Sequence, residues 1–242
     1  MKVILCGFEW AGCRALDLLL QKKAEIFVYT HKSKSYILSV AEYAKEKKIP
    51  FSTNSINDSE LPFKADYIIS VYYRNIINRN ILKKVNFKAM NLHPSILPSY
   101  RGCSSLTWAM INGENEVGYT YHYLDEKIDN GKIILQKKMP ITEYDTQLNL
   151  YQRVMFAGMS DFDNAFDKLI KNYKGDLQSQ LNSSYYSRKI PEDGLIKMHW
   201  SKEKIKRYIR AMINPPLPYA KFKNREIKSY SEYLKVLDED CD

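Results

Sequence analysis

Twelve consecutive residues, Asn91-Leu92-His93-Pro94-Ser95-Ile96-Leu97-Pro98-Ser99-Tyr100-Arg101-Gly102, bring together an amide, an imidazole, two prolines and an arginine. In extended backbone, side chains two apart project to one side, so Asn91 and His93 share a space while Leu92 packs the other way. Pro94 keeps His93 extended and ends any helix. An amide donor beside an imidazole suits an oxygen that gains negative charge during group transfer. Further on, Asp125-Glu126-Lys127-Ile128-Asp129-Asn130-Gly131 offers a carboxylate on a tight turn. Brought opposite His93, Asp129 would keep the ring charged or take a proton from an attacking amine. The chain has no G-x-S-x-G elbow, which favours direct transfer over a covalent enzyme intermediate. Each feature alone is ordinary: His-Pro is common in structural loops, and Asp-Asn-Gly is a common hairpin turn. Of the other histidines, His31 is near a strand end, His122 lies between tyrosines in a strand, and His199 adjoins Trp200.

The elements that must position these groups alternate. Lys2–Cys6, residues 25–30 and residues 65–71 read as strands, and helical spacing covers 11–22 and 36–47. This βαβα order implies an α/β fold, a Rossmann-like, mostly parallel twisted sheet with helices on both faces. Ligands of such sheets bind at the carboxyl ends of the strands, where the run from Asn91 would lie. A short helix is expected over 104–111. Strands over 117–124 and 132–139 are joined by the Asp125–Gly131 turn, and one long helix runs from Thr146 to Gly175. Residues 1–175 form the expected catalytic domain. Residues 176–242, richer in Tyr, Ser, Lys and Pro, form a small C-terminal extension with a helix over 202–213.

Composition excludes several classes. A length of 242 residues with 45% hydrophobic and 27% charged residues supports a packed core and argues against disorder. No apolar run approaches the roughly 18–20 residues of a membrane span, and the start is too short in apolar length for a signal peptide, so a cytoplasmic protein is expected. Cys6, Cys13, Cys103 and Cys241 fit neither a disulfide framework nor a zinc site, and no metal is expected. Gly7-Phe8-Glu9-Trp10-Ala11-Gly12 lacks the middle glycine of a dinucleotide fingerprint and carries bulky side chains where a pyrophosphate would approach. The formal charge is +9, with ten Lys/Arg against two Asp/Glu over 195–230 and an acidic tail at 238–242. Such a segment suits phosphorylated ligands or nucleic acid, or is a solvated surface.

The run from Asn91 to Gly102 resembles the N-x-H-P-S-[LI]-L-P-x-Y-R-G run of formyltransferases that use 10-formyltetrahydrofolate. Ile128-Asp129-Asn130-Gly131-Lys132-Ile133-Ile134 resembles their D-x-G-x-[IV] turn. The likeness is good over about 65–140 and looser before it. It implies a catalytic trio of Asn91, His93 and Asp129. It also implies that the folate's pterin sits against the Arg74-Asn75-Ile76 and Asp125–Ile128 loops, Lys127 included, with Tyr72 or Tyr73 nearby. The Tyr72-Tyr73-Arg74 pattern is closer to sugar N-formyltransferases than to methionyl-tRNA formyltransferases. The 67 residues after 175 are too few for the latter's second domain, and a glycinamide ribonucleotide formyltransferase usually lacks such an extension.

Pro191–Ile196, His199-Trp200-Ser201 and Ile209-Arg210-Ala211 resemble the downstream part of enzymes acting on nucleotide-linked amino sugars. The chain looks most like those that formylate dTDP-4-amino-4,6-dideoxyglucose for lipopolysaccharide O-antigen. On that reading Arg101, Tyr219 and Lys221 meet the diphosphate and base, and the enzyme is a homodimer. The rivals are a UDP-linked 4-amino sugar, a dTDP-linked 3-amino sugar and, from another class, a basic tRNA-binding protein whose footprint is 195–228.

Overall fold

The structure, a computed structural model, describes residues 1–34, 37–58 and 60–239. The chain forms two compact units. The first is Met1–His93, Tyr119–Gln136 and Met155–Gln180; the second is Pro94–Gly118, Lys137–Val154 and Leu181–Asp242. A single boundary at 175/176 is expected from sequence. The nearest crossing in the structure is between Gln180 and Leu181, and two earlier segments join the C-terminal residues.

The first unit begins with β1 (Lys2–Gly7), α1 (Glu9–Gln21), β2 (Glu25–Tyr29), α2 (Val40–Glu46), β3 (Phe51–Ser52), β4 (Tyr67–Val71), α3 (Arg79–Lys84) and β5 (Ala89–His93). β1 runs parallel to β2 and β4, β2 to β3, and β4 to β5. Val3, Ile4, Leu5, Ile68 and Ile69 are fully buried, as central parallel strands covered on both faces should be. Each such aliphatic side chain contributes about 1.5–3 kcal/mol on burial. Ser39 caps α2 by accepting from Glu42 N–H, and Asn78 caps α3 by accepting from Ile81 N–H. The glycines flanking the first turn serve packing. A Cβ on Gly12 would come within 2.9 Å of the Gly7 carbonyl carbon, so strand and helix approach as only glycine permits.

Along the second unit come β6 (Arg101–Gly102) and α4 (Ser105–Asn112), closed by Gly113 in the left-handed region. β7 (Glu116–Tyr123), β8 (Ile133–Pro140) and α5 (Gln147–Ser160) each contribute residues to both units, and α6 (Phe162–Ile170) returns to the first. The sheet order is β3-β2-β1-β4-β5-β7-β8, with β7 antiparallel to β5. β9 (Tyr185–Tyr186) pairs with β6, and α7 (Lys202–Ala211) packs on α4 and buries Ile205, Tyr208 and Ile209. β10 (Ala220–Phe222) and β11 (Arg225–Ile227) form a hairpin on Lys223 and Asn224, both at positive φ. α8 (Tyr230–Asp238) is capped by Ser229, which accepts from Glu232 N–H while Glu232 accepts from Lys228 N–H.

The single helix expected over 146–175 is two helices. At Asp161 the backbone leaves helical geometry (φ −95°, ψ 7°), and its carboxylate accepts from the buried Tyr119 hydroxyl. The stop also differs, because Asn172 (φ 54°) takes the left-handed position just beyond α6, ahead of Gly175. The start matches Thr146, which accepts from Asn149 N–H and donates its own N–H to the Asn149 side chain. The expected helix over 36–47 begins only at Val40, where Ser39 can cap; Tyr36 lies outside the described residues, as does Cys241. Among the described residues, no helix is long and apolar enough to cross a membrane.

Candidate active site

β5 carries Asn91 and His93 between two partners. Asn91 stands opposite Ser70 on β4 and His122 on β7, and His93 stands opposite Thr120. Cross-strand partners share a face, so the register places both imidazoles and the amide on one side of the sheet. Leu92 goes to the other side, where its methyl carbons would meet a Cβ on Gly158 at 3.1 Å. His93 and His122 are both buried, with ring centroids 6.5 Å apart.

Asp129 arrives on a turn that its own residues build. Asp125 accepts from Lys127 N–H at 2.9 Å and from the Asn130 side-chain amide at 3.2 Å, an Asx turn closed twice. Asp129 sits at φ 49°, in the left-handed region aspartate tolerates better than most residues. Gly131 lies against β7 so closely that a Cβ would be 1.8 Å from Tyr123 O. The turn thus holds one Asp129 carboxylate oxygen 3.5 Å from His93 Nδ1 and the other 3.4 Å from His122 Nε2. His122 Nδ1 donates to Tyr123 O at 2.8 Å, and Asn91 Nδ2 lies 3.2 Å from His122 Nε2. An amide and a carboxylate, both half-buried, therefore meet two buried imidazoles in one cluster, a set able to polarise a carbonyl oxygen and move a proton. His122, given less weight in sequence, is a full member. Its signal was position, two residues from Thr120 on the strand that precedes the Asp129 turn.

Residues 11–166 match the family model described as formyl transferase. That span holds all four residues of the cluster. The chain belongs to the formyl transferase family. It is 37% identical over 230 residues to GDP-perosamine N-formyltransferase of Brucella melitensis, covering 92% of this chain and 88% of that protein. It is 36% identical over 228 residues to bifunctional polymyxin resistance protein ArnA of Wigglesworthia glossinidia brevipalpis, covering 89% of this chain but 35% of that longer protein. Among solved structures, it resembles WlaRD, a sugar 3N-formyl transferase crystallised with dTDP and 5-N-formyl-THF. There the TM-score is 0.80 at 26% identity, covering 95% of this chain and 85% of that one. Within the family, the chain is a sugar N-formyltransferase.

The formyltransferase's other sequence-named residues fall in two groups. In the first unit, Tyr73 is turned inward. Its ring stacks on His31 at 4.6 Å, and its hydroxyl accepts from Ile56 N–H. Arg74 donates its N–H to His31 Nε2 and lays its guanidinium 4.1 Å over the Phe8 ring. Asn75 and Ile76 are exposed, as are Lys127 and Ile128. Arg79 and Glu126, 2.8 Å apart, tie the segments that follow and include these loops. In the second unit, Arg101 is buried on β6, with its N–H donated to Ser184 O. Tyr219 lies under Lys228 Nζ at 4.8 Å, and Lys221 O on β10 accepts from Ile196 N–H. Among the described residues no group of three His, Cys, Asp or Glu could hold a metal ion.

Proposed function

We propose that this sugar N-formyltransferase transfers a formyl group from 10-formyltetrahydrofolate to the amine of a nucleotide-linked amino-deoxysugar at the Asn91–His93–Asp129 cluster. The supporting observation is the carboxylate of Asp129 lying within 3.5 Å of His93 Nδ1 in a buried setting. The donor, when bound, supplies the activated formyl group. Two loops with exposed apolar tips, at Ile76 and Ile128, lie in the unit that holds the cluster and offer apolar surface for a heterocycle. Asn75, Ile76, Asp125 and Lys127 are the residues assigned to it; Arg74 contributes backbone, and Tyr73 supports the loop from below. Asn91 and His93 hold the oxygen that gains charge. Asp129 orients His93 and accepts the proton that the amine gives up; the bond from the formyl carbon to the donor nitrogen breaks as the new amide forms, and tetrahydrofolate leaves with that nitrogen protonated.

For the acceptor, the curated relative at 37% identity favours GDP-perosamine. The dTDP-4-amino-4,6-dideoxyglucose expected from sequence is the second reading; the neighbour at 26% identity supports its dTDP nucleotide, while that neighbour's 3N activity favours a dTDP-linked 3-amino sugar on the position of the amine. The larger identity over comparable coverage puts GDP-perosamine first. Arg101, Tyr219 and Lys221 are assigned to diphosphate and base, and the C-terminal residues to substrate binding or dimerisation. We place the enzyme in the cytoplasm as a homodimer feeding lipopolysaccharide O-antigen synthesis, on the family likeness alone. Steady-state formylation of GDP-perosamine, dTDP-4-amino-4,6-dideoxyglucose, a dTDP-linked 3-amino sugar and a UDP-linked 4-amino sugar decides among them. The highest kcat/KM identifies the acceptor, and turnover of none overturns the sugar assignment.

A further inference from the structure

We propose that Gln178, which lies beyond the family-matched residues 11–166, is the positioning residue that fixes the Asp129 carboxylate. The inference rests on the catalytic role proposed for Asp129. Gln178 is buried, and its side-chain amide nitrogen donates to Asp129 O at 2.9 Å and to Gly131 O at 2.7 Å. An amide NH2 group has two protons, so this nitrogen spends both on one turn. The two carbonyls bracket the Asn130 peptide, and fixing them fixes the rotation of the backbone that carries Asp129. Asp129 needs such a hold because φ 49° is a sparsely populated conformation for a residue with a side chain, kept only where the surroundings enforce it.

Other contacts constrain the turn elsewhere. Asp125 closes its start, Gly131 abuts Tyr123 O, and Ile133 and Asp176 pair their backbones two residues before Gln178. Gln180 adds a long contact of 3.4 Å to the Asn130 side chain. Gln178 differs from these in reaching the carbonyl of Asp129 itself. A shift of about 1 Å at a catalytic group is enough to cost on the order of a hundredfold in rate. Gln178 is not a reacting group; it acts through Asp129.

The test is a double-mutant cycle read by steady-state formylation of the preferred sugar nucleotide. Gln178→Met keeps the length and removes both donors. We expect Q178M to lower kcat by about 10–100-fold, with KM for both substrates within about threefold of the parent. In a D129A background, Q178M should change turnover by no more than about twofold, because the group it positions is gone. Circular dichroism melts establish that each protein is folded. Should Q178M fail that check, Q178E, which sets a carboxylate against the same carbonyls, is read in its place. Q178M turnover at the parent level beside an inactive D129A overturns the inference and leaves the Asp129 assignment standing. An equal fractional loss in both backgrounds also overturns it, since a merely structural effect does not depend on Asp129. Parent-level turnover in D129A overturns the assignment of Asp129, and the inference with it.

Discussion

Asn91 Nδ2 lies 3.2 Å from His122 Nε2, across the β5–β7 register that pairs the two residues directly. Because His122 Nδ1 faces the carbonyl of Tyr123, that nitrogen must donate, which leaves Nε2 facing both the Asn91 amide and the Asp129 carboxylate. The contact holds the Asn91 side-chain amide against its strand partner. Replacing His122 by Phe keeps a buried ring but removes this polar partner of Asn91 and the neighbour of Asp129 Oδ1. Turnover of H122F is expected to fall about tenfold or more, since the Asn91 amide, to which we assign an oxyanion role, loses the partner that orients it. Single-turnover assays at saturating substrates check this; a rate within about twofold of the parent would leave His122 a packing residue.

The trio carries the larger effects. Removing one oxyanion donor typically costs on the order of 10²–10³ in turnover. Asn91→Ala and His93→Ala are expected to fall at least that far, as is Asp129→Ala, with unchanged circular dichroism. Near-normal kcat in any one would remove that residue from the mechanism.

Stability should decline on the alkaline side. Burial pushes the Tyr121 phenol well above its ordinary value, and burial followed by the Asp161 partner does the same for Tyr119. Tyr43 is raised to about 12, chiefly because its hydroxyl donates to Asp17. The sign follows from linkage: these groups stay protonated in the folded chain after the unfolded chain has begun to lose its protons near pH 10. Their stabilisation is complete below about pH 10 and is lost as pH rises from there through the folded values. Tm measured from neutral pH upward should be flat with respect to these groups and then fall above about pH 10. Y121F should make that fall shallower; an unchanged slope would contradict the assignment.

The convergence of Asn91 and His93 was readable because it depends on few residue types in tight spacing. Asn91 and His93 are two apart on a strand, and a strand's period of two aligns them whatever else the chain does. The break at Asp161 was not readable, because apolar spacing runs on through Met155, Phe162 and Phe166, and only the distant Tyr119 hydroxyl marks the stop. The inward turn of Tyr73 depends on His31 and Ile56, and the clamp of Gln178 on a turn 47–49 residues earlier. Local pattern carries no record of such partners. The two-unit division was hidden for the same reason, since Pro94–Gly118 and Lys137–Val154 group with residues far along the chain. β3, α3 and α8 are short or lean on their caps, so hydrophobic period alone does not show them.

Gly131 offers a test of the turn itself. Its backbone is held against β7 so that an added Cβ would stand 1.8 Å from Tyr123 O and 2.7 Å from the Tyr123 carbonyl carbon. Both neighbours are backbone, and Tyr123 O already accepts from His122 Nδ1, so neither can yield without moving a strand that carries the site. The turn must therefore shift in G131A, taking Asp129 away from His93 and His122. Overpacking of this kind costs about 1–3 kcal/mol of stability, and the displaced carboxylate should cost on the order of a hundredfold in turnover. Urea unfolding and kcat, measured on the same preparation, separate the two effects. A G131A protein that loses stability yet keeps parent turnover would show that the position of Asp129 is not what the rate depends on.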